Sequence, residues 1–251
     1  MDGVLSQEEI NALLNNNDAA DSSDEILTES EKDAIGEIAN ISMGTAATTL
    51  FSLVNRRVEI STPVVSFSNW DKIVDEYEKP CVFIKIGYTQ GLNGSNILVL
   101  KEKDVKIITD LMMGGDGTNI NGEIGELHLS AISEAMNQMM GSSATSLSSM
   151  LNRTIDISPP IAEVVDLKNT LNEGEIDSFL SEEFVKISFH MEIGDLVDSE
   201  IMQLYPPAFV KEMCKGVSQN MELDTQSVTE DVPQSSNTAT QAAPIQQPQD
   251  S

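Results

Sequence analysis

Apolar positions recur at helical spacing after Thr28, where Ile35, Ile38, Ala39, Ile41, Ala46, Leu50, Leu53 and Val54 supply residues for burial. Thr28 and Glu31 stand at capping-box spacing, so the pattern predicts a long helix over residues 29–55. Val58-Glu59-Ile60 alternates as a strand does, and Pro63 is expected to end it. Apolar runs over 81–88 and 95–100 predict two strands joined as a hairpin around Gly91, Asn93 and Gly94. A short helix over 102–112 leads to Gly114-Gly115-Asp116-Gly117. That loop lacks the Lys-Ser/Thr of a P-loop and reads as a flexible connection. The order then recurs: a long helix over 122–151, a strand over 155–157 stopped by Pro159-Pro160, strands over 185–193 and 201–205, and a short helix over 207–215. Residues 169–183 read as an acidic loop. The expected architecture is an α+β domain, with two long helices on one face of a mainly antiparallel sheet and a pseudo-twofold relating the halves.

Outside this domain the pattern changes. Ser6 and Glu9 have capping-box spacing, and Ile10, Leu13 and Leu14 form a stripe at i, i+3 and i+4, so a short amphipathic helix is expected near the start. Such a helix is marginal alone in water. It suits docking in a partner's groove, or folding back on its own domain. Residues 1–20 are therefore assigned as a peptide, 21–28 as a flexible acidic linker, 29–217 as the domain, and 218–251, rich in Gln, Ser, Thr and Pro, as a disordered tail.

The recurrence is a duplication. Shifting the chain by 97 positions lays 33–63 on 130–160 without a gap, with 15 of 31 residues identical. The identities include Glu37/Glu134, Asn40/Asn137, Gly44/Gly141, Asn55/Asn152 and Pro63/Pro160. Asp33, Glu37 and Asn40 lie at i, i+4 and i+7 and so share a helix face, as do Ser130, Glu134 and Asn137. A polar stripe is ordinarily a solvated face. Surface positions, however, have little reason to match between copies, and Asn is a poor helix former. Gly44 and Gly141, costly inside helices, suggest close packing in both copies, with a functional role of their own as the alternative.

Composition narrows the function. The chain has 251 residues, 41 acidic against 14 basic, and a net charge of −27. That argues against nucleic acid or anionic lipid as a direct partner and for a protein partner with a basic or mixed surface. No apolar run is long enough to span a membrane, so no membrane insertion is expected. Two cysteines, Cys81 and Cys214, offer no disulfide framework, and a reducing, cytoplasmic setting fits. No signal peptide is evident at the start of the chain.

The pattern Asp/Ser-x-x-x-Glu-x-x-Asn, then 22 residues and Pro, occurs twice and resembles the signature of the CheC, CheX and FliY family. These are phosphatases of the chemotaxis response regulator CheY. The N-terminal stretch Leu5, Ser6, Glu9, Ile10, Leu13 and Leu14 resembles the phospho-CheY-binding peptide of flagellar switch proteins. Peptide, tether, two-site domain and tail, in that order, are most similar to the FliY branch, whose C-terminal FliN-like domain this chain lacks. The resemblance implies hydrolysis of an aspartyl phosphate on phosphorylated CheY. Asn40 and Asn137 would orient the attacking water, Glu37 and Glu134 would pair with the regulator's lysine, and Asp33, Ser130, Pro63 and Pro160 would support the motif. It implies no cofactor or metal on this chain, with Mg2+ on the regulator. It also implies partners among switch proteins of the FliM, FliN and FliG type, and a place at the flagellar switch. His128 and His190 lie outside the motif and are assigned structural or exposed roles. A non-enzymatic switch adaptor that binds phospho-CheY is the alternative. A carboxylate metal site is a third reading, made poor by the lack of His.

Overall fold

A computed structural model of the chain describes residues 26–77, 80–167, 174 and 176–217. The peptide expected over 1–20 and the tail over 218–251 lie outside the described residues, as do residues 169–173 and 175 of the acidic loop.

Helix α1 (Glu29–Val54) starts at the expected capping box. The Thr28 hydroxyl accepts from the Glu31 amide at 3.2 Å, and the Glu31 carboxylate accepts from the Thr28 amide at 2.8 Å. The helix ends where Asn55 turns left-handed at φ 48°. Asn152 does the same at φ 47° after α4 (Glu126–Leu151). Left-handed backbone is costly for most residues and cheaper for Asn, which accounts for this identity between the repeats.

The rest of the first half is β1 (Val58–Ile60), β2 (Val64–Ser68), α2 (Trp70–Glu76), β3 (Cys81–Gln90), β4 (Gly94–Lys101) and α3 (Glu102–Met112). The second half continues after α4 with β5 (Asp156–Ile157), β6 (Ile161–Val165), a 3-10 turn (Ser178–Ser181), β7 (Phe184–Ile193), β8 (Val197–Tyr205) and α5 (residues 207–217). Every strand pairing is antiparallel. The order is β1-β7-β8-β4-β3-β5, with β2 also on β7 and β6 also on β3. A pseudo-twofold between β8 and β4 exchanges the halves. Each half lends its edge strand to the other: β1 and β2 pair with β7, and β5 and β6 with β3.

Both long helices cover one sheet face, as expected, and share one core. Ile35, Met43 and Leu50 of α1 meet Ile132, Met136 and Met139 of α4 over Val82, Ile84 and Phe189 of the sheet. A second, smaller core on the opposite face holds Trp70, Phe83, Ile97, Leu180 and Phe184. The central strands are therefore buried on both faces, which is why they read as apolar runs rather than as an alternation.

Four expectations need correction. Helix α4 begins at Glu126 rather than at 122: Gly122 sits at φ 86° and the N-cap is Gly125, extended at φ −109°. Pro63 and Pro159-Pro160 interrupt strands rather than end them, since β2 and β6 resume along the same partners. An edge strand tolerates this because proline's missing donor faces away from the ladder. The loop 114–117 is fastened, not slack: the Gly117 amide donates to Asp110 Oδ2 at 2.8 Å, and the Gly115 amide donates to the Asp110 carbonyl at 2.9 Å. Finally, Gly44 and Gly141 are not close-packed. A Cβ built at either would meet nothing within 4 Å.

Candidate functional site

The motif residues converge in each half where the long helix passes over the interrupted edge strand. In the first half the buried stripe Ile35, Ile38, Ala39 and Ser42 pins α1 to the core. The opposite side is thereby left outward, with Asp33 and Glu37 exposed and Asn40 half-buried. These three, with Gly36, Thr62 and Pro63, line a depression of about 370 Å3. In the second half Ser130, Glu134 and Asn137, with Ser133, Pro159 and Pro160, line one of about 430 Å3. The sequence-predicted groups are thus brought together twice, in the same arrangement. The N-terminal residues Leu5, Ser6, Glu9, Ile10, Leu13 and Leu14 lie outside the described part.

Two serines that sequence reasoning passed over hold the strand breaks. The Ser61 amide donates to the His190 carbonyl at 2.9 Å, and the His190 amide donates to Ser61 Oγ at 3.0 Å. The Ser158 amide donates to the Gly87 carbonyl at 2.8 Å, and the Gly87 amide donates to Ser158 Oγ at 3.1 Å. Each serine lies two residues before its motif proline and is identical between copies, a signal available in the repeat. The residue after each proline is apolar and exposed in both copies: Val64 is 65% exposed and Ile161 69%. An apolar side chain thus stands out beside each depression.

The two sites are not identical. Lys32 stands beside the first, paired with Glu29 and 5.1 Å above the Phe67 ring; Leu129 takes its place at the second. Gln138 Nε2 donates to Glu134 Oε1 at 2.7 Å, whereas the equivalent neighbour of Glu37 is Ile41, apolar and 43% exposed. Neither Asn40 nor Asn137 has a side-chain partner among the described residues, so both carboxamides are available to a ligand. Neither depression is lined by His or Cys. His128 Nδ1 instead accepts from the Gly125 amide at the start of α4, and His190 sits on β7 beside Glu192. Cys81 and Cys214 are both buried, and burial pushes both thiols up to about 11. Among the described residues no three His, Cys, Asp or Glu side chains converge as a metal site would need.

A duplicated α+β domain with one Glu-x-x-Asn depression per half is a recognisable class, and the CheC-like family model matches residues 31–67 and 127–164, one match per copy. The chain belongs to this family. It is 47% identical over 218 residues to the flagellar motor switch phosphatase FliY of Bacillus subtilis (strain 168), covering 85% of this chain and 57% of that protein. It is 24% identical over 143 residues to the CheY-P phosphatase CheC of the same organism, covering 55% of this chain and 67% of that protein. Its fold matches the crystal structure of Thermotoga maritima FliY with a TM-score of 0.71 at 40% identity, over 78% of this chain and 99% of that one. The chain thus spans somewhat more than half the length of its Bacillus FliY relative.

Proposed function

We propose that this domain hydrolyses the aspartyl phosphate of a CheY-type response regulator, at both depressions. One observation carries the reading. A carboxylate and an unpartnered carboxamide, one helical turn apart, face the same strand break in each half. An acyl phosphate has a good leaving group, so little covalent chemistry is asked of the enzyme. What must be supplied is a water held in line with phosphorus. The carboxamide oxygen of Asn40 or Asn137 accepts a hydrogen bond from that water. The water oxygen bonds to phosphorus as the bond to the aspartyl oxygen breaks, giving inorganic phosphate and a free carboxylate on the regulator. Glu37 and Glu134 pair with a lysine beside the phosphorylated aspartate and fix the docking register. Mg2+ belongs to the regulator in this scheme: the second depression offers Glu134 alone, and at the first Glu29, Asp33 and Glu37 do not converge as metal ligands would. Switch proteins as further partners, and a place at the flagellar switch, follow from the relatives' names and belong to the same proposal.

The test is phosphate release from a phosphorylated response regulator. Asn40→Ala and Asn137→Ala should each leave partial turnover, and the double variant almost none. These side chains are unpartnered, so stability should change little. A double variant that turns over like the parent refutes the reading. Deleting residues 1–20 should raise KM and spare kcat, as expected of a peptide that acts by effective concentration.

A further inference from the structure

Gly44 and Gly141 are the least explained identities in the repeat. Each lies inside a 26-residue helix, far from its ends. Glycine is the poorest helix former after proline, and it usually stays in a helix interior for one of three reasons. Close packing does not apply, because a Cβ at either position meets only open space. Left-handed backbone does not apply, because neither residue has positive φ. A helix end does not apply either. The chain's own structure therefore gives no reason for glycine at these places, and yet it stands at both.

Their position supplies one. Gly44 follows Asn40 by four residues and Glu37 by seven, and Gly141 follows Asn137 and Glu134 by the same steps. At these spacings the three residues share one helix face. Beyond Gly44 this face opens on a groove of about 560 Å3 between α1 and β1, lined also by Thr48 and by Phe51, which is 48% exposed.

We propose that Gly44 and Gly141 are clearance positions: the phosphoprotein substrate lies across the helix backbone there, one turn beyond the asparagine, in the space a Cβ would fill. Each glycine sets how near the phosphoryl group comes to its carboxamide. They are specificity-determining residues rather than catalytic ones. The proposal rests on the phosphatase reading above.

Single-site proteins separate the two ideas. In the Asn137→Ala chain only the first site works, and Gly44→Ala is added there; in the Asn40→Ala chain Gly141→Ala is added. Alanine is the better helix former, so each substitution should raise Tm, by about 2–4 °C for a domain of this size. With phosphorylated regulator as substrate, kcat/KM should nevertheless fall by about tenfold or more, since displacements near 1 Å are costly to in-line attack. A purely structural role for the glycine cannot raise Tm while lowering kcat/KM. A kcat/KM within about twofold of the single-site parent overturns the proposal alone. A falling Tm also overturns it, by showing that the Cβ is met inside the chain. Full turnover by the Asn40→Ala/Asn137→Ala protein overturns the phosphatase reading itself.

Discussion

Gln138 should make the two sites unequal. Its amide donates to Glu134 Oε1 at 2.7 Å, a short, charge-assisted bond between residues four apart on an exposed face of α4. A lysine docking on Glu134 must share or displace that donor, whereas Glu37 has Ile41 in the equivalent place and no such competitor. Buried bonds of this kind are worth about 1.5–3 kcal/mol. Solvent screening at an exposed position reduces this to roughly 0.5–1 kcal/mol. With 1.4 kcal/mol per decade, the second site should bind regulator about two- to fivefold more weakly on this account. The perturbation is a reciprocal exchange. In the Asn40→Ala chain, Gln138→Ile should lower KM by that factor; in the Asn137→Ala chain, Ile41→Gln should raise it. In both, kcat should hold, because the asparagine is untouched. Steady-state phosphate release against regulator concentration measures each. If neither exchange moves KM, or if both move it the other way, Gln138 organises Glu134 instead of competing for it, and the argument fails.

Two further outcomes follow from the geometry. Ser61→Ala and Ser158→Ala each remove the acceptor for one backbone amide of the facing strand. Each should cost about 1 kcal/mol by denaturant unfolding and lower turnover at its own site only. At Asp177, burial raises the carboxyl pKa, but hydrogen bonds from Lys85 and Ser95, both at 2.8 Å, outweigh it and hold the group below the usual range. A depressed folded pKa stabilises above the unfolded value and is lost as pH falls through the folded one. The stability gap between the parent and Asp177→Asn should therefore be complete at pH 7 and close below about pH 4, as unfolding curves at several pH values would show.

Much of this was legible in the chain because the signals were local. The capping box at Thr28 and Glu31 placed the start of α1, and Asn55 marked its end. The second helix has no side-chain cap, and its expected start ran four residues early, into Gly122–Gly125. The α2 helix was missed although Asn69 caps it, accepting from the Lys72 amide at 3.0 Å; seven residues carry too little periodicity to declare a helix. Strands β2 and β6 were missed because proline was read as a terminator, when on an edge it only interrupts. Glu37, Asn40, Glu134 and Asn137 stood out because duplication is an internal control on surface residues. Ser61 and Ser158 carried the same mark and were overlooked, since serine near a turn is unremarked without knowledge of what faces it. Clearance above Gly44 leaves no sequence signal that distinguishes it from close packing.

Least legible was the exchange of edge strands, and it has a consequence that can be measured. Each depression is lined by a helix and a strand break from one half, but the break is held by the other. Val64 to Ser68 of β2 pair in register with Ser188 to Phe184 of β7, and Ser61 is bonded to His190. Likewise Ile161 to Val165 pair with Lys85 to Cys81 of β3. A chain cut between Asn121 and Gly122, both exposed, separates the halves while leaving each motif whole. Residues 26–121 alone would keep Glu37, Asn40 and Pro63, but β1 and β2 would lose the strand they pair with, and α1 would lose its packing on α4. Unpaired backbone donors and a half-exposed core together should leave no cooperative unfolding transition. Residues 122–217 alone should fail for the same reason. Mixed, the two fragments can exchange edges as the intact chain does, and should regain both a thermal transition and phosphate release. Circular dichroism on each fragment and on the mixture decides the matter. A cooperative transition in the isolated 26–121 fragment would mean that the pairing within a half suffices, and that the two sites are independent modules rather than parts of one exchanged sheet.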